Sequence, residues 1–550
     1  MDLKIYESNA GIGGTWYVNK YPGLMCDIPS HSYQVTFENK TDWSGFYASG
    51  EEILQNLVNV VDKYKLQPFI KLQHRLTCAR WDESIGKWHL TIRKSRTSGP
   101  AMGSKGALKI PTYDDWEEIH DVVDILFLGV GSLSRWTWPN IMGLETFSGE
   151  VIHSAQWDTT EHEKNWKDKN VAVIGVGSSA IQIVTALQPK VKHLSNYVRG
   201  QTWISSLFVQ EQMLKLGGSA SADMDRNYKF TEKTIESFKD PVFYQKVRTD
   251  IEIDLNLAHP ATLVGNPAAG FARDEFKQSM LERLTKKPWI AEHLVPEFGV
   301  ACRRLTPGPG YLEALCEDNV SFIPALIQRV TPTGIETVDG KSQDLDVIVC
   351  ATGFDTSYRY DFDIIGKKGE TLQEHHTPHP RTYMSVAVDG FPNMFQALGP
   401  NGGVGAGNLL LIMERQVDYA VSATLKIQRE RIKSMDAKPE AVDDFESWIE
   451  SYFPKTVFGT TCRSWYKGGK EEGRVVAIWP GSPMHAARAL AHPRWEDFNY
   501  EFVDGAVNRF YWFGDGNSVA DVNEHADKAW YLRPENIDYP PVPTEDKSKL

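Results

Sequence analysis

The chain runs to 550 residues, of which 59 are Lys or Arg and 72 are Asp or Glu, giving a net charge of −13; 41% of residues are hydrophobic and 24% charged. One hydrophobic core does not organise a chain this long, so two to four domains are expected, and the ordinary composition excludes wholesale disorder and fibrous repeats. The acidic balance argues against nucleic acid as a partner, which calls for a basic footprint, and no apolar run approaches the length that spans a membrane.

In chain order, Leu3 to Tyr6 read as a short strand ending at Glu7, followed by Gly11, Gly13 and Gly14. Over 51–65, Ile53, Leu54, Leu57, Val58 and Val61 recur at helical spacing and predict an amphipathic helix. A strand-like run follows from Trp88 to Ile92, and 95–108, small, polar and Gly-rich, predict a long mobile hairpin loop. Val122 to Gly131 is a continuous apolar run ending in Gly, as in a parallel strand covered on both faces. The sharpest unit begins at Asn170: an apolar strand (NVAVI), a Gly turn (GVGSSA), a helix closed by Pro189, and a second strand from His193 to Val198. That order is a βαβ unit. Residues 203–295 read as largely helical, 347–353 as another buried strand ending in Gly, and 407–426 as a helix. The tail after Asn536, rich in Pro and charge, is expected to be mobile.

The six cysteines (26, 78, 302, 316, 350 and 462) are scattered, and no pair forms C-x-x-C. This argues against a disulfide scaffold, a zinc site or a redox pair, and predicts reduced, structural thiols in a cytoplasmic protein without a metal. The first residues carry no signal-peptide core.

The chemistry concentrates in Gly175-x-Gly177-x-x-Ala180, which follows a strand and opens a helix with Ser178 and Ser179 in its first turn. Glycines there let backbone N–H groups approach a pyrophosphate at a helix N-terminus. The end of the next strand offers Arg199 and no acid nearby, which favours the 2′-phosphate of NADP over the bare ribose of NAD. Glu7, at the end of the first strand, matches the acidic ribose-binding position of a second dinucleotide fold. The glycine loop of such a fold precedes that acid by about 20 residues, and the sequence starts at Met1. The expectation is therefore that the first βα unit of that domain is missing.

Two longer patterns are Gly14-x-Trp16-x-x-x-x-Tyr21-Pro22-Gly23-x-x-x-Asp27 and Phe147-x-Gly149-x-x-x-His153-x-x-x-Trp157-Asp158. Together they resemble the two fingerprints of Baeyer–Villiger monooxygenases, within the class B flavin monooxygenases, and the resemblance runs from Asp2 to about Trp495. Taken singly, Trp16 and Tyr21 read as core aromatics and His153 as a loop histidine. The resemblance implies an α/β fold of two Rossmann-like domains: an FAD domain (1–158 and 341–426) interrupted by an NADP domain (159–340) with a helical insertion (203–295), then a C-terminal region (427–550). It implies FAD and NADPH as cofactors, and a ketone and O2 as substrates.

Within Cys302-Arg303-Arg304-Leu305, the resemblance makes Arg304 the catalytic residue and Arg303 a ligand of the NADP 2′-phosphate. Asp27 pairs with Arg304; Gly14, Thr15, Trp16 and Tyr33 join the cofactor site, and Trp465 of Ser464-Trp465-Tyr466 closes over the nicotinamide. Ala351-Thr352-Gly353 resembles the segment returning to the flavin domain, and Gly399 to Gly402 a flavin-contacting turn. The resemblance implies an ester or lactone as the product. The aromatic content, the insertion and the stretch from Arg303 to Gly310, which resembles fungal secondary-metabolite enzymes, point to a large polyketide or terpenoid ketone. The alternatives are N- or S-oxygenation, against which Trp157 and Arg304 argue, and an inactive form truncated at its N-terminus.

Overall fold

The computed structural model describes residues 2–95, 116–157, 166–206, 208–218, 228–503, 508 and 510–539. Residues 96–108 of the expected loop, Asp158 of the second fingerprint and the tail from 540 lie outside them.

At the N-terminal end, β1 (Ile5–Tyr6) is followed by α1 (Gly50–Lys63) and by β2 (Ile70–Lys71), which pairs with β1 in parallel. α1 forms where the periodicity predicts. Its Ser49 hydroxyl accepts from the Glu52 N–H at 3.2 Å, and Glu51 and Glu52 open it while Lys63 closes it. Both charge placements complement the helix dipole. β3 (His74–Asp82), β4 (Lys87–Ser95) and β5 (Trp116–Val123) form an antiparallel meander around buried Trp81, Trp88 and Ile92. β6 (Leu126–Leu128) follows.

The centre of the molecule is a parallel sheet built from β7 (Glu150–His153), β8 (Asn170–Ile174), β9 (His193–Tyr197), β10 (Val320–Ile323) and β11 (Val347–Cys350), in the order β10-β9-β8-β11-β7. Every residue of β11 and all but the first of β8 are buried, which is why both strands read as unbroken apolar runs rather than as alternating ones. α2 (Ser178–Leu187) crosses from β8 to β9 and buries Ala180, Ile181, Ile183, Val184 and Leu187 in the main core. Two strands of this sheet, β7 and β11, come from chain before residue 158 and after residue 340. β12 (Met394–Gln396) pairs in parallel with β6.

The described residues of 203–295 are largely helical and include α3 (Pro241–Asn256) and α4 (Pro267–Arg283). α3 buries Tyr244, Val247, Ile251 and Leu255 in one cluster with Trp43, Phe46 and Tyr47, so the insertion packs onto the first fingerprint region. α5 (Leu409–Arg429) starts at Leu409 because the Asn408 carboxamide oxygen accepts from the Leu410 N–H at 2.9 Å. No helix among the described residues is long and apolar enough to cross a membrane.

The expectation of six reduced thiols is corrected. Cys302 and Cys462 form a disulfide with 6.5 Å between their Cα atoms, while Cys26, Cys78, Cys316 and Cys350 are free. The two partners are 160 residues apart, and their meeting depends on how the C-terminal region folds back, which cysteine spacing does not report. Closing a loop of that length costs the unfolded chain entropy equivalent to about 5 kcal/mol on the chain-entropy account. For the core, Ile183→Ala should lower stability by about 2–5 kcal/mol, read as a fall in the urea midpoint of near-UV circular dichroism.

Candidate active site

The βαβ turn is built as its sequence requires. Gly175 has φ +131, and a Cβ on it would stand 2.4 Å from the Ala351 carbonyl oxygen, so only Gly lets β8 pass β11 here. Gly177 is the N-cap of α2, and the space a Cβ would occupy is open. Ser178 and Thr306 share a hydrogen bond between hydroxyls at 2.6 Å, which ties the start of α2 to the strand after Arg304. Arg199 lies exposed just beyond β9. Arg303 stacks its guanidinium 5.0 Å from the Phe298 ring centroid, its Nε is buried without a partner, and burial pushes its pKa down to about 10.

The first fingerprint docks on α2. The Tyr21 hydroxyl donates to Gln182 Oε1 at 3.1 Å, and Gln182 Nε2 donates to the Met25 carbonyl at 3.0 Å. Gly23 has φ +78, and a Cβ there would meet the Gln182 carbonyl oxygen at 2.9 Å. Asp27 stands on the strand Met25–Pro29. Arg304 donates to both its oxygens, Nε to Oδ2 at 2.9 Å and Nη2 to Oδ1 at 2.7 Å. The two side chains are 27% and 23% exposed, so the pair is shielded yet reachable. Burial acts to lower the Arg304 pKa, but the Asp27 carboxylate outweighs it and the guanidinium holds its proton above its ordinary value. Trp16 Nε1 donates to the Tyr33 hydroxyl at 3.3 Å, and burial raises the Tyr33 pKa.

The second fingerprint joins the segments around the central sheet. His153, fully buried at the end of β7, stacks on Trp136 at 4.2 Å. Its Nδ1 accepts from the Ala155 N–H at 3.2 Å, and Nε2 lies 3.4 Å from the Thr352 hydroxyl. Burial lowers its pKa to about 4. Phe147 is buried, a Cβ on Gly149 would meet the Asp346 carbonyl oxygen at 2.4 Å, and Trp157 is 1% exposed in the main core. These four residues hold the junction of β7 and β11; the geometry gives them packing and no reacting atom.

At the N-terminal side, Glu7 accepts through Oε1 from the Asn9 N–H and the Asn9 carboxamide, both at 2.7 Å. Gly14, carrying φ +52, caps the turn Thr15–Val18 and leaves open space where a Cβ would stand. Near β12, both amide atoms of Gln396 are buried without a partner, beside Gly399. Trp465 is half-buried against Tyr466, ring centroids 4.5 Å apart. Sequence reasoning did not single out Tyr466, whose hydroxyl is buried without a hydrogen-bond partner and interacts electrostatically with the Arg304 guanidinium, nor Gln182, Thr306 or the disulfide. A polar residue on the exposed flank of a predicted nucleotide helix, as Gln182 is, was the one available signal.

The open Gly14 and Gly177 positions, the orphaned Arg303 Nε and the orphaned Gln396 amide are consistent with two bound dinucleotides. Among the described residues no cluster of His, Cys, Asp or Glu is arranged to hold a metal.

The comparisons fit this arrangement. No protein-family model matches the chain. The FAD-binding monooxygenase tazF of Aspergillus terreus is 37% identical over 535 residues, covering 97% of this chain and 90% of that protein. The FAD-binding monooxygenase moxY of Dothistroma septosporum is 32% identical, over 97% of this chain and 81% of its own. A Baeyer–Villiger monooxygenase of Pseudomonas aeruginosa is 29% identical, over 87% and 83%. Among solved structures, cyclohexanone monooxygenase from Rhodococcus sp. Phi1 bound to NADP+ superimposes with a TM-score of 0.74 at 25% identity, covering 91% of this chain and 94% of that one. Fold and site thus define a flavin- and nicotinamide-dependent oxygenase class. The chain belongs to the FAD-binding monooxygenases of Baeyer–Villiger type, enzymes that use FAD and NADPH.

Two outcomes follow from this geometry. Gly175→Val should weaken NADP+ binding at least about tenfold, since it forces β8 away from β11 at the phosphate turn; titration of tryptophan fluorescence with NADP+ reads this. His153, depressed to about 4, binds fewer protons folded than unfolded between that value and its ordinary 6.5. Its contribution to stability is therefore fully present above about pH 6.5 and shrinks as the pH falls toward 4. His153→Asn should flatten that part of the stability profile in urea melts across pH.

Proposed function

We propose that this chain inserts one oxygen atom of O2 beside a ketone carbonyl to give an ester or lactone, on a large polyketide or terpenoid intermediate. The observation that carries the reading is the two-pronged Arg304–Asp27 pair. Bound FAD and NADPH supply the reducing electrons and the activation of O2. A guanidinium offers five N–H donors and a charge that persists at any working pH. Asp27 takes two of the donors on one edge and fixes the plane of the group. The remaining edge can donate to an oxygen where negative charge develops as the carbonyl is attacked, which is preorganised electrostatic stabilisation.

Around this pair, Glu7, Gly14, Thr15, Trp16, Tyr33 and Asp27 would line the flavin side. Gly175, Gly177, Ser178, Ser179, Arg199 and Arg303 would hold the nicotinamide dinucleotide, with its 2′-phosphate between the two arginines. Trp465 would cover the nicotinamide and exclude water. Phe147, Gly149, His153 and Trp157 would keep the sheet junction in register between the two cofactors. The fungal relatives and the α3–α4 insertion, which packs beside the first fingerprint, support a bulky substrate.

Arg304→Ala should reduce ester formation by about 10²–10³-fold, the cost of removing one oxyanion donor set, while NADPH oxidation persists at a lower level. Product mass spectrometry alongside NADPH consumption checks this. Ester made at the parent rate would remove Arg304 from the mechanism; sulfoxide or N-oxide as the sole product would move the enzyme to heteroatom oxidation, and conversion of small cycloalkanones only would overturn the substrate class.

A further inference from the structure

Asp27 holds the Arg304 guanidinium by one edge, as described, and the chain segment that carries Arg304 is tied to the C-terminal region. The C-terminal region around the turn Trp465–Lys467 reaches the Arg304 segment twice. Cys462, three residues before Trp465, is bonded to Cys302, two residues before Arg304. Tyr466 is 1% exposed, its hydroxyl is buried without a hydrogen-bond partner, and the Arg304 guanidinium acts on it electrostatically.

The turn itself is rigid for reasons visible in its hydrogen bonds. Ser464 Oγ accepts from the Tyr466 N–H at 3.2 Å. Lys467, 3% exposed, donates from Nζ to the carbonyls of Thr460 at 2.7 Å and Glu471 at 2.6 Å, so its charge is spent on closing the loop. The Val476 N–H donates to the Tyr466 carbonyl at 2.8 Å, and Asn401 binds the carbonyls of Val475 and Ile478 at 3.0 and 2.9 Å. The turn is thereby referenced to the Gly399–Gly402 segment. A movement of the C-terminal region would be felt at Arg304 through both links.

We propose that Tyr466 and the Cys302–Cys462 disulfide are positioning residues for Arg304, making the C-terminal region a structural part of the oxygenation site. The inference rests on the assignment of Arg304 made above and extends it to how the guanidinium is aimed. Neither link supplies a reacting atom: Tyr466 acts electrostatically on the guanidinium from its buried position, and the disulfide fixes where the arm carrying it leaves the main core. Loss of aim at Arg304 does not hinder delivery of electrons from NADPH. It shows as reducing equivalents consumed without ester, because misplacement by about 1 Å is enough to cost a step up to about 10²-fold.

The test uses the full chain with its cofactors and compares Tyr466→Phe, the double substitution Cys302→Ser with Cys462→Ser, the triple combination, and Arg304→Ala. Non-reducing peptide mapping of the parent should recover one peptide pair joined through Cys302 and Cys462; two free thiols would overturn the disulfide half. Tyr466→Phe should keep the parent's melting temperature and its Kd for NADP+, yet lower ester formed per NADPH consumed between about 5- and 50-fold. A purely structural role would move the melting temperature and leave that ratio alone. The triple combination should lose less than the product of the separate losses, as residues acting through one group do. Should the double Cys variant not fold, Tyr466→Phe and the peptide map carry the test. Parent-like coupling in Tyr466→Phe overturns this proposal while leaving Arg304 in place; parent-like ester formation in Arg304→Ala overturns both.

Discussion

The Arg304–Asp27 pair is the constraint on which the rest of the site depends. Its partners stand 277 residues apart, one on a short strand of the first fingerprint and the other where the helical insertion returns to the central sheet. Both side chains are mostly withdrawn from water, and a charge in that position is tolerated only with its counter-charge in good geometry. Any arrangement that separates the two regions leaves an uncompensated charge, so the pair selects the docked arrangement. The contacts next to it act in the same direction. Gly23 lets the first fingerprint approach the Gln182 carbonyl, and Tyr21 and Gln182 complete the seam with hydrogen bonds in both directions.

Burial of the insertion serves the same end. The face of α3 that carries Tyr244, Val247, Ile251 and Leu255 is covered by Trp43, Phe46 and Tyr47, residues close in sequence to Asp27. Apolar packing therefore supplies the non-directional part of the docking, and the ion pair and the Tyr21–Gln182 bonds supply the register. Ser178 adds a further tie through Thr306, two residues after Arg304, so that the start of α2 and the guanidinium are set by one local framework.

What the sequence made legible follows from how local each feature is. NVAVI-GVGSSA-IQIVTALQP encodes strand, turn and helix within a score of residues, and the structure has β8, Gly175 and α2 there because burial on both sheet faces leaves no polar alternation to confuse the reading. α1 was readable from its helical periodicity and α5 as a helical stretch, while their starts, set by the Ser49 and Asn408 caps, were placed only by the structure. Asp27 and Arg304 carry no local signal; their juxtaposition was reachable only through the two gapped fingerprints. The Cys302–Cys462 bond was misread because cysteine spacing reports local motifs, whereas this bond records where the C-terminal region lands. Tyr466 escaped notice for a like reason: beside Trp465 it looks like one more core aromatic, and only the fold brings its buried hydroxyl within electrostatic reach of Arg304.

The pairing with Asp27 sets two demands on Arg304 against each other. A carboxylate held by two hydrogen bonds orients the guanidinium and secures its proton, but it also offsets much of the positive field that an isolated arginine would present. On the proposed reading, what would remain for a developing oxyanion is directional: the N–H donors of the edge turned away from Asp27, effective only where the oxygen lies in their plane and within hydrogen-bonding distance. A site that relies on donors more than on net charge is sensitive to small rotations of the group. That sensitivity gives the link to the C-terminal region a physical purpose: Asp27 fixes the plane of the guanidinium, and the disulfide limits how far the chain segment that carries the pair can shift.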